Sequence, residues 1–85
     1  MDMSEDKKNH IYTEVGNIRI TYVPANDRDV NADWSGYDVI RLQAYRNENN
    51  KLLHKGAELP IESPEKFIEF ISALLQTYNS GRESH

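Results

Sequence analysis

Hydrophobic and polar positions change period along this chain, and the changes mark its elements. Between residues 10 and 15 the side chains alternate, with Ile11, Thr13 and Val15 on one side. A second alternating run places Ile18, Ile20 and Tyr22 on one face and Arg19, Thr21 and Val23 on the other. Period two is the mark of strands that turn one face to a core. Gly16-Asn17 between the runs supplies a two-residue hairpin turn. Pro24 ends the second strand, because proline cannot donate to a ladder.

A loop rich in Asp, Asn and Gly follows over residues 24–36, with Trp34 near its end. That tryptophan reads as a lid over an edge of the core or as a functional aromatic. The third strand spans 37–46. Ile40, Leu42 and Ala44 point one way, and Tyr37, Val39, Arg41, Gln43 and Tyr45 the other. Asn47-Glu48-Asn49-Asn50 makes a turn, and the fourth strand begins at Lys51. Straight alternation would draw Lys55 toward the core together with Leu53, Ala57 and Leu59. A bulge at Gly56 restores the pattern, with Leu52, His54, Ala57 and Leu59 inward and Lys51, Leu53 and Lys55 outward.

The period then lengthens to that of a helix. Phe67, Phe70, Ile71, Leu74, Leu75 and Tyr78 form an apolar stripe, which Ile68 widens. Ser63 is suited to the N-cap, Pro64 to the first helical position and Glu65 to the positive end of the dipole. Gly81 supplies a stop. At roughly 1.5–3 kcal/mol per large buried side chain, the stripe reads as the main source of core.

The expected fold is therefore α+β: a four-stranded antiparallel meander followed by one C-terminal helix (ββββα). A single domain occupies residues 10–80, with a disordered tail over 1–9 and a C-terminal tail over 81–85. One helix is about 10 Å wide, whereas four strands about 4.8 Å apart span more. An apolar edge is left over, and a second copy of the chain is its simplest cover, so a homodimer is expected.

Composition narrows the function. The 85 residues make one domain, and cysteine is absent, which removes disulfides and thiolate metal sites. His10, His54 and His85 lie far apart, so no metal is expected. No apolar run approaches a membrane span, and the polar N-terminus carries no signal-peptide core, so the expected location is cytoplasmic. The net charge of −4 is unevenly distributed. Residues 39–56 carry +3, while 24–38 and 57–78 carry −3 each.

Catalytic motifs are missing, so no enzyme, cofactor or small-molecule substrate is expected. Asp27, Asp29 and Asp33 lack the central glycine and terminal glutamate of a calcium loop. What remains is the outward sheet face. Arg19, Arg41, Lys51 and Lys55 supply positive charge, Tyr37 and Tyr45 flat rings, and Gln43 a hydrogen-bonding amide. Single-stranded DNA or RNA asks for this mixture, since phosphates pair with cations and unstacked bases lie on rings. Antiparallel sheets also carry such residues on a wet face for solubility alone.

The segments Tyr37-Asp38-Val39-Ile40-Arg41, Lys55-Gly56-Ala57-Glu58-Leu59 and Pro64-Glu65-Lys66-Phe67 resemble the positive-cofactor-four-type transcriptional coactivators. Those are relatives of the Pur and Whirly single-stranded-DNA-binding proteins, and the likeness covers about half of the chain. It implies a ββββα module that dimerises and grips single-stranded DNA in transcription or replication. Arg41, Tyr45 and Lys55 then stand where the family has its arginine, its aromatic and its lysine. The chain departs from the family in one extra residue between Asp38 and Ile40-Arg41 and in its acidic balance. The other reading is a small protein-interaction module without nucleic-acid binding, docking by Asp27, Asp29, Asp33 and Trp34 or by a strand edge.

Overall fold

The computed structural model describes residues 2–45 and 56–84. Strands β1 (Ser4–Glu5), β2 (Ile11–Val15), β3 (Ile18–Val23), β4 (Asp38–Ala44) and β5 (Glu58–Ile61) form one antiparallel sheet in chain order. A short 3-10 turn, Ala25–Asp27, follows β3, and the helix α1 runs from Pro64 to Ser84. The α+β class and the closing helix are as the patterning predicts. Among the described residues the sheet has five strands, the first of them formed by Ser4 and Glu5, which pair with Tyr12 and Ile11 inside the segment expected to be a tail. Thr13 adds a side-chain bond, donating its hydroxyl to the Asp2 carbonyl at 2.7 Å.

The β2–β3 hairpin closes at Gly16-Asn17 as expected, with Val15 opposite Ile18. Gly16 has φ 61°, the left-handed value that a type II′ turn asks of its first central residue. In β3 and β4 the facing residues are those that alternation assigns: Ile20 opposes Leu42, Tyr22 opposes Ile40, and Arg19 opposes Gln43. Residues 51–55 of the fourth predicted strand and the Asn47–Asn50 turn lie outside the described residues. What is described is β5, which contains Pro60 opposite Val39. Proline is tolerated there because β5 is the edge of the described sheet. Just before it, a Cβ on Gly56 would stand 1.5 Å from the Leu42 carbonyl oxygen, so only glycine fits.

The sheet has two unlike faces. One carries Ile11, Thr13, Val15, Ile18, Ile20, Tyr22, Ile40, Leu42, Ala44, Leu59 and Ile61; the other carries Tyr12, Glu14, Arg19, Thr21, Val23, Val39, Arg41, Gln43, Glu58 and Pro60. The fully buried apolar side chains, Val23 and Val39, lie on the second, polar face. There the loop after β3 is tied down by Arg28 to Glu58 and by Asp27 to His10.

The apolar face and the helix correct the expectation of a helix-covered core. Ser63 caps α1 as predicted, accepting the Lys66 N–H at 3.1 Å, but no described residue of the helix is buried. Phe67 and Phe70 are half-buried near the start, whereas Ile68, Ile71, Leu74, Leu75 and Tyr78 are 43–63% exposed. Ile11, Val15 and Ile18 on the sheet are exposed as well. A 3.6-residue stripe requires a buried face but does not say which chain buries it. Gly81 does not stop the helix, which continues to Ser84; an exposed mid-helix glycine costs about 1 kcal/mol and does not break a helix.

The dimensions agree with an uncovered apolar layer. The radius of gyration is 14.5 Å, against roughly 12 Å for a compact chain of this length. The accessible surface is 6856 Å², against roughly 5200 Å² for a compact monomer of this mass. No helix among the described residues is long and apolar enough to cross a membrane.

Candidate functional site

The polar sheet face is assembled from four strands by simple register. Tyr12, Thr21, Arg41 and Glu58 lie across β2 to β5 in one row, and Glu14, Arg19 and Gln43 in the next. Diagonal neighbours on a sheet face lie within reach of long side chains. Arg19 uses this geometry: its guanidinium lies 4.0 Å from the centroid of the Tyr12 ring and 5.7 Å from that of Tyr45. It also donates to the Tyr45 hydroxyl at 2.7 Å and to Glu14 at 3.3 Å, while the Tyr45 hydroxyl donates to Glu14. The result is a cation held among rings, with a carboxylate at its edge.

Titration behaviour follows from these bonds. Burial works against the charged form of Arg19, but the Tyr45 hydroxyl and Glu14 outweigh it and raise its pKa. Tyr45 is raised chiefly by its bond to Glu14, which accepts the phenolic proton and so favours the neutral form.

A second cluster joins β4 and β5 to the loop. Arg28, 3% exposed, grips both Glu58 carboxylate oxygens, at 2.7 and 3.0 Å. It also donates to the Asp33 carbonyl. Arg41 gives its Nε to the same Glu58 at 2.9 Å. The Arg28 bonds, followed by those of Arg41, hold the Glu58 carboxyl below the usual range against the opposing effect of burial. Arg28 Nε is buried without a hydrogen-bond partner among the described residues.

The N-terminal hairpin is fastened nearby. His10, 6% exposed, lies between Asp27 (Nε2 to Oδ2, 2.9 Å) and Asp6 (Nδ1 to Oδ2, 3.6 Å). Asp6 accepts the backbone N–H groups of Lys8 and His10, which lower its pKa although burial pulls upward. On the apolar side of the sheet, at the start of β4, Asp38 accepts from the Tyr22 hydroxyl and from the Ala25 N–H. Those bonds lower the pKa of Asp38, while the carboxylate raises that of Tyr22.

Of the residues singled out in the sequence, Arg19, Arg41, Gln43 and Tyr45 share this face. Tyr37 precedes β4 and is exposed at its end. Lys51 and Lys55 lie outside the described residues. Trp34 is 46% exposed rather than folded over the core, and its φ is 62°. Sequence reasoning missed Tyr12, Arg28 and His10. Strand parity with Thr13 does place Tyr12 opposite the apolar face, and Arg28 is the one cation in an acidic loop, a hint that it is there to hold carboxylates. Nothing in the sequence around His10 indicates that it is buried.

In comparisons with protein-family models, curated proteins and solved structures, the chain matches none.

Proposed function

We propose that this chain is a non-enzymatic, homodimeric module that binds single-stranded nucleic acid on its polar sheet face, in the setting of transcription or replication. The observation that carries the reading is the ladder of Arg19 stacked on Tyr12 and bonded to Tyr45, in register with Gln43 and Arg41. Rings and guanidinium planes on an open sheet face are what unstacked bases and phosphates engage. Arg41 spends only its Nε on Glu58, so among the described residues both Nη groups remain for an acceptor on the strand.

The dimer in this reading follows from the uncovered layer. The apolar sheet face and the stripe Ile71, Leu74, Leu75 and Tyr78 are two halves of one core, presented by the same chain but open to solvent. The surface in excess of a compact monomer is roughly twice the ~800 Å² that each partner buries in a standard interface. Two copies would also place two polar faces in one particle.

The specific observation that favours the other reading is that Arg19 and Arg41 already pair with Glu14 and Glu58, in a chain of net charge −4. A protein-interaction module needs no free cations on this face. Fluorescence anisotropy with a labelled single strand of about 20 nucleotides, repeated with the duplex at two salt concentrations, separates the two. The nucleic-acid reading expects tighter binding to the single strand, falling steeply with salt, and its loss in Arg41→Glu or Lys55→Glu without loss of fold. Absence of binding at low salt, or full affinity in both variants, would sink it.

A further inference from the structure

We infer that the cavity between the 25–34 loop and the polar sheet face is a nucleobase pocket suited to guanine. The inference rests on the nucleic-acid reading and names where one base of the strand would be held. The cavity measures about 650 Å³, within the range of small-ligand sites. Trp34 forms one wall, and Arg28, Arg41 and Gln43 line it from the loop and β4.

Three features specify the ligand. The first is a pair of donors: Arg28 is committed to Glu58 and the Asp33 carbonyl, so the cavity-lining donors left over among the described residues are the two Nη groups of Arg41, whose Nε alone is held by Glu58. The second is charge: among the described lining residues Lys8, Arg28 and Arg41 face four carboxylates, three from the loop and Glu58, leaving them negative by one. Such a wall does not select a phosphate. It suits a neutral ligand with acceptors for Arg41 and donors for carboxylates such as Asp33. The third is the exposed ring of Trp34, held out from the loop as a surface on which a flat group stacks.

A guanine base has this combination on one ring system, with O6 and N7 as acceptors for an arginine fork and its N1–H and amino group as donors. Adenine, cytosine and uracil each leave part of the set unmatched. The pocket opens beside Arg41 and Gln43, so a strand crossing the sheet face would reach it with one base.

Trp34 is the only tryptophan of the chain, so its fluorescence reports on this site alone. The full chain is titrated with the four ribonucleoside monophosphates, which share the phosphate and differ in the base. In parallel, anisotropy compares an all-thymine 20-mer with one carrying a central guanine. The expected result is saturable quenching by guanosine monophosphate, about tenfold tighter than by the other three, and a matching preference for the guanine-containing strand. Trp34→Leu and Asp33→Asn are expected to abolish that preference while leaving binding of the all-thymine strand unchanged. Equal quenching by all four nucleotides, or none, overturns the pocket. If the all-thymine strand still binds, the pocket alone falls. If it does not bind and guanosine monophosphate does not quench, both readings fall. Quenching by guanosine monophosphate without strand binding upholds the pocket and removes the sheet-face reading.

Discussion

The two faces of this small sheet solve the same problem in opposite ways. The polar face buries Val23 and Val39 under a loop and ties that loop down with charge pairs. It is nearly complete within one chain. The apolar face has far more hydrophobic surface and no lid among the described residues, and the helix that ought to supply one is exposed along Ile71, Leu74, Leu75 and Tyr78. Polar satisfaction takes only a few partners, and Arg19, Arg28 and Arg41 each meet a carboxylate of the sheet. Hydrophobic burial is an area problem, and the described helix leaves much of this area open to solvent.

The largest expected effect breaks the open side. Leu74→Asp with Leu75→Asp puts charge into the layer that a second copy would cover. Each leucine carries on the order of 1.5–3 kcal/mol of burial in each protomer. Light scattering after size exclusion should show the mass falling from about two chains to one, with a melting temperature that no longer depends on concentration.

Next in size is the closed side. Glu58→Ala leaves Arg28 buried with neither carboxylate oxygen, and breaking a buried pair from one side typically costs about 3–5 kcal/mol. Urea titration of the variant should show this as a lower midpoint with an unchanged slope. The same pair gives a pH test with a defined sign. The folded carboxyl of Glu58 is held below the ordinary glutamate value of about 4.3. Its stabilisation is therefore complete above that unfolded value and is lost as pH falls through the lower folded one. Between neutrality and pH 3 the wild-type urea midpoint should fall more steeply than that of Glu58→Gln.

Smaller still is the surface cluster. Tyr45→Phe removes the hydroxyl between Arg19 and Glu14, and exposed pairs of this kind contribute under about 1 kcal/mol. Its melting temperature should barely move, while affinity for a single strand drops if the ladder is the contact surface. Gly81→Ala is the mildest change and has the opposite sign. Nothing lies within 4 Å of the added methyl, so the helix should gain up to about 1 kcal/mol in thermal unfolding.

These contrasts also explain what could be read from the chain itself. Strand faces were legible wherever alternation was strict, and Ile20 against Leu42 and Arg19 against Gln43 fall in register as the pattern demands. Ser63 was legible as a cap because capping is a local interaction. The first strand was not, since Ser4 and Glu5 carry no apolar alternation and are held by pairing with β2. The partners of the cations were illegible for the same reason. Arg28 meets Glu58 across 30 positions, and nothing local announces that distance. The helix stripe was correct as a pattern and misleading as a location, because periodicity fixes a buried face without naming what buries it.

The central claim is that one face binds a nucleic-acid strand while the other joins two chains. Sedimentation velocity of the protein with a fluorescently labelled 20-nucleotide single strand at low salt tests both halves at once. The account predicts that the labelled strand sediments in a particle containing two protein chains. A strand that sediments free beside a protein of one-chain mass would contradict it.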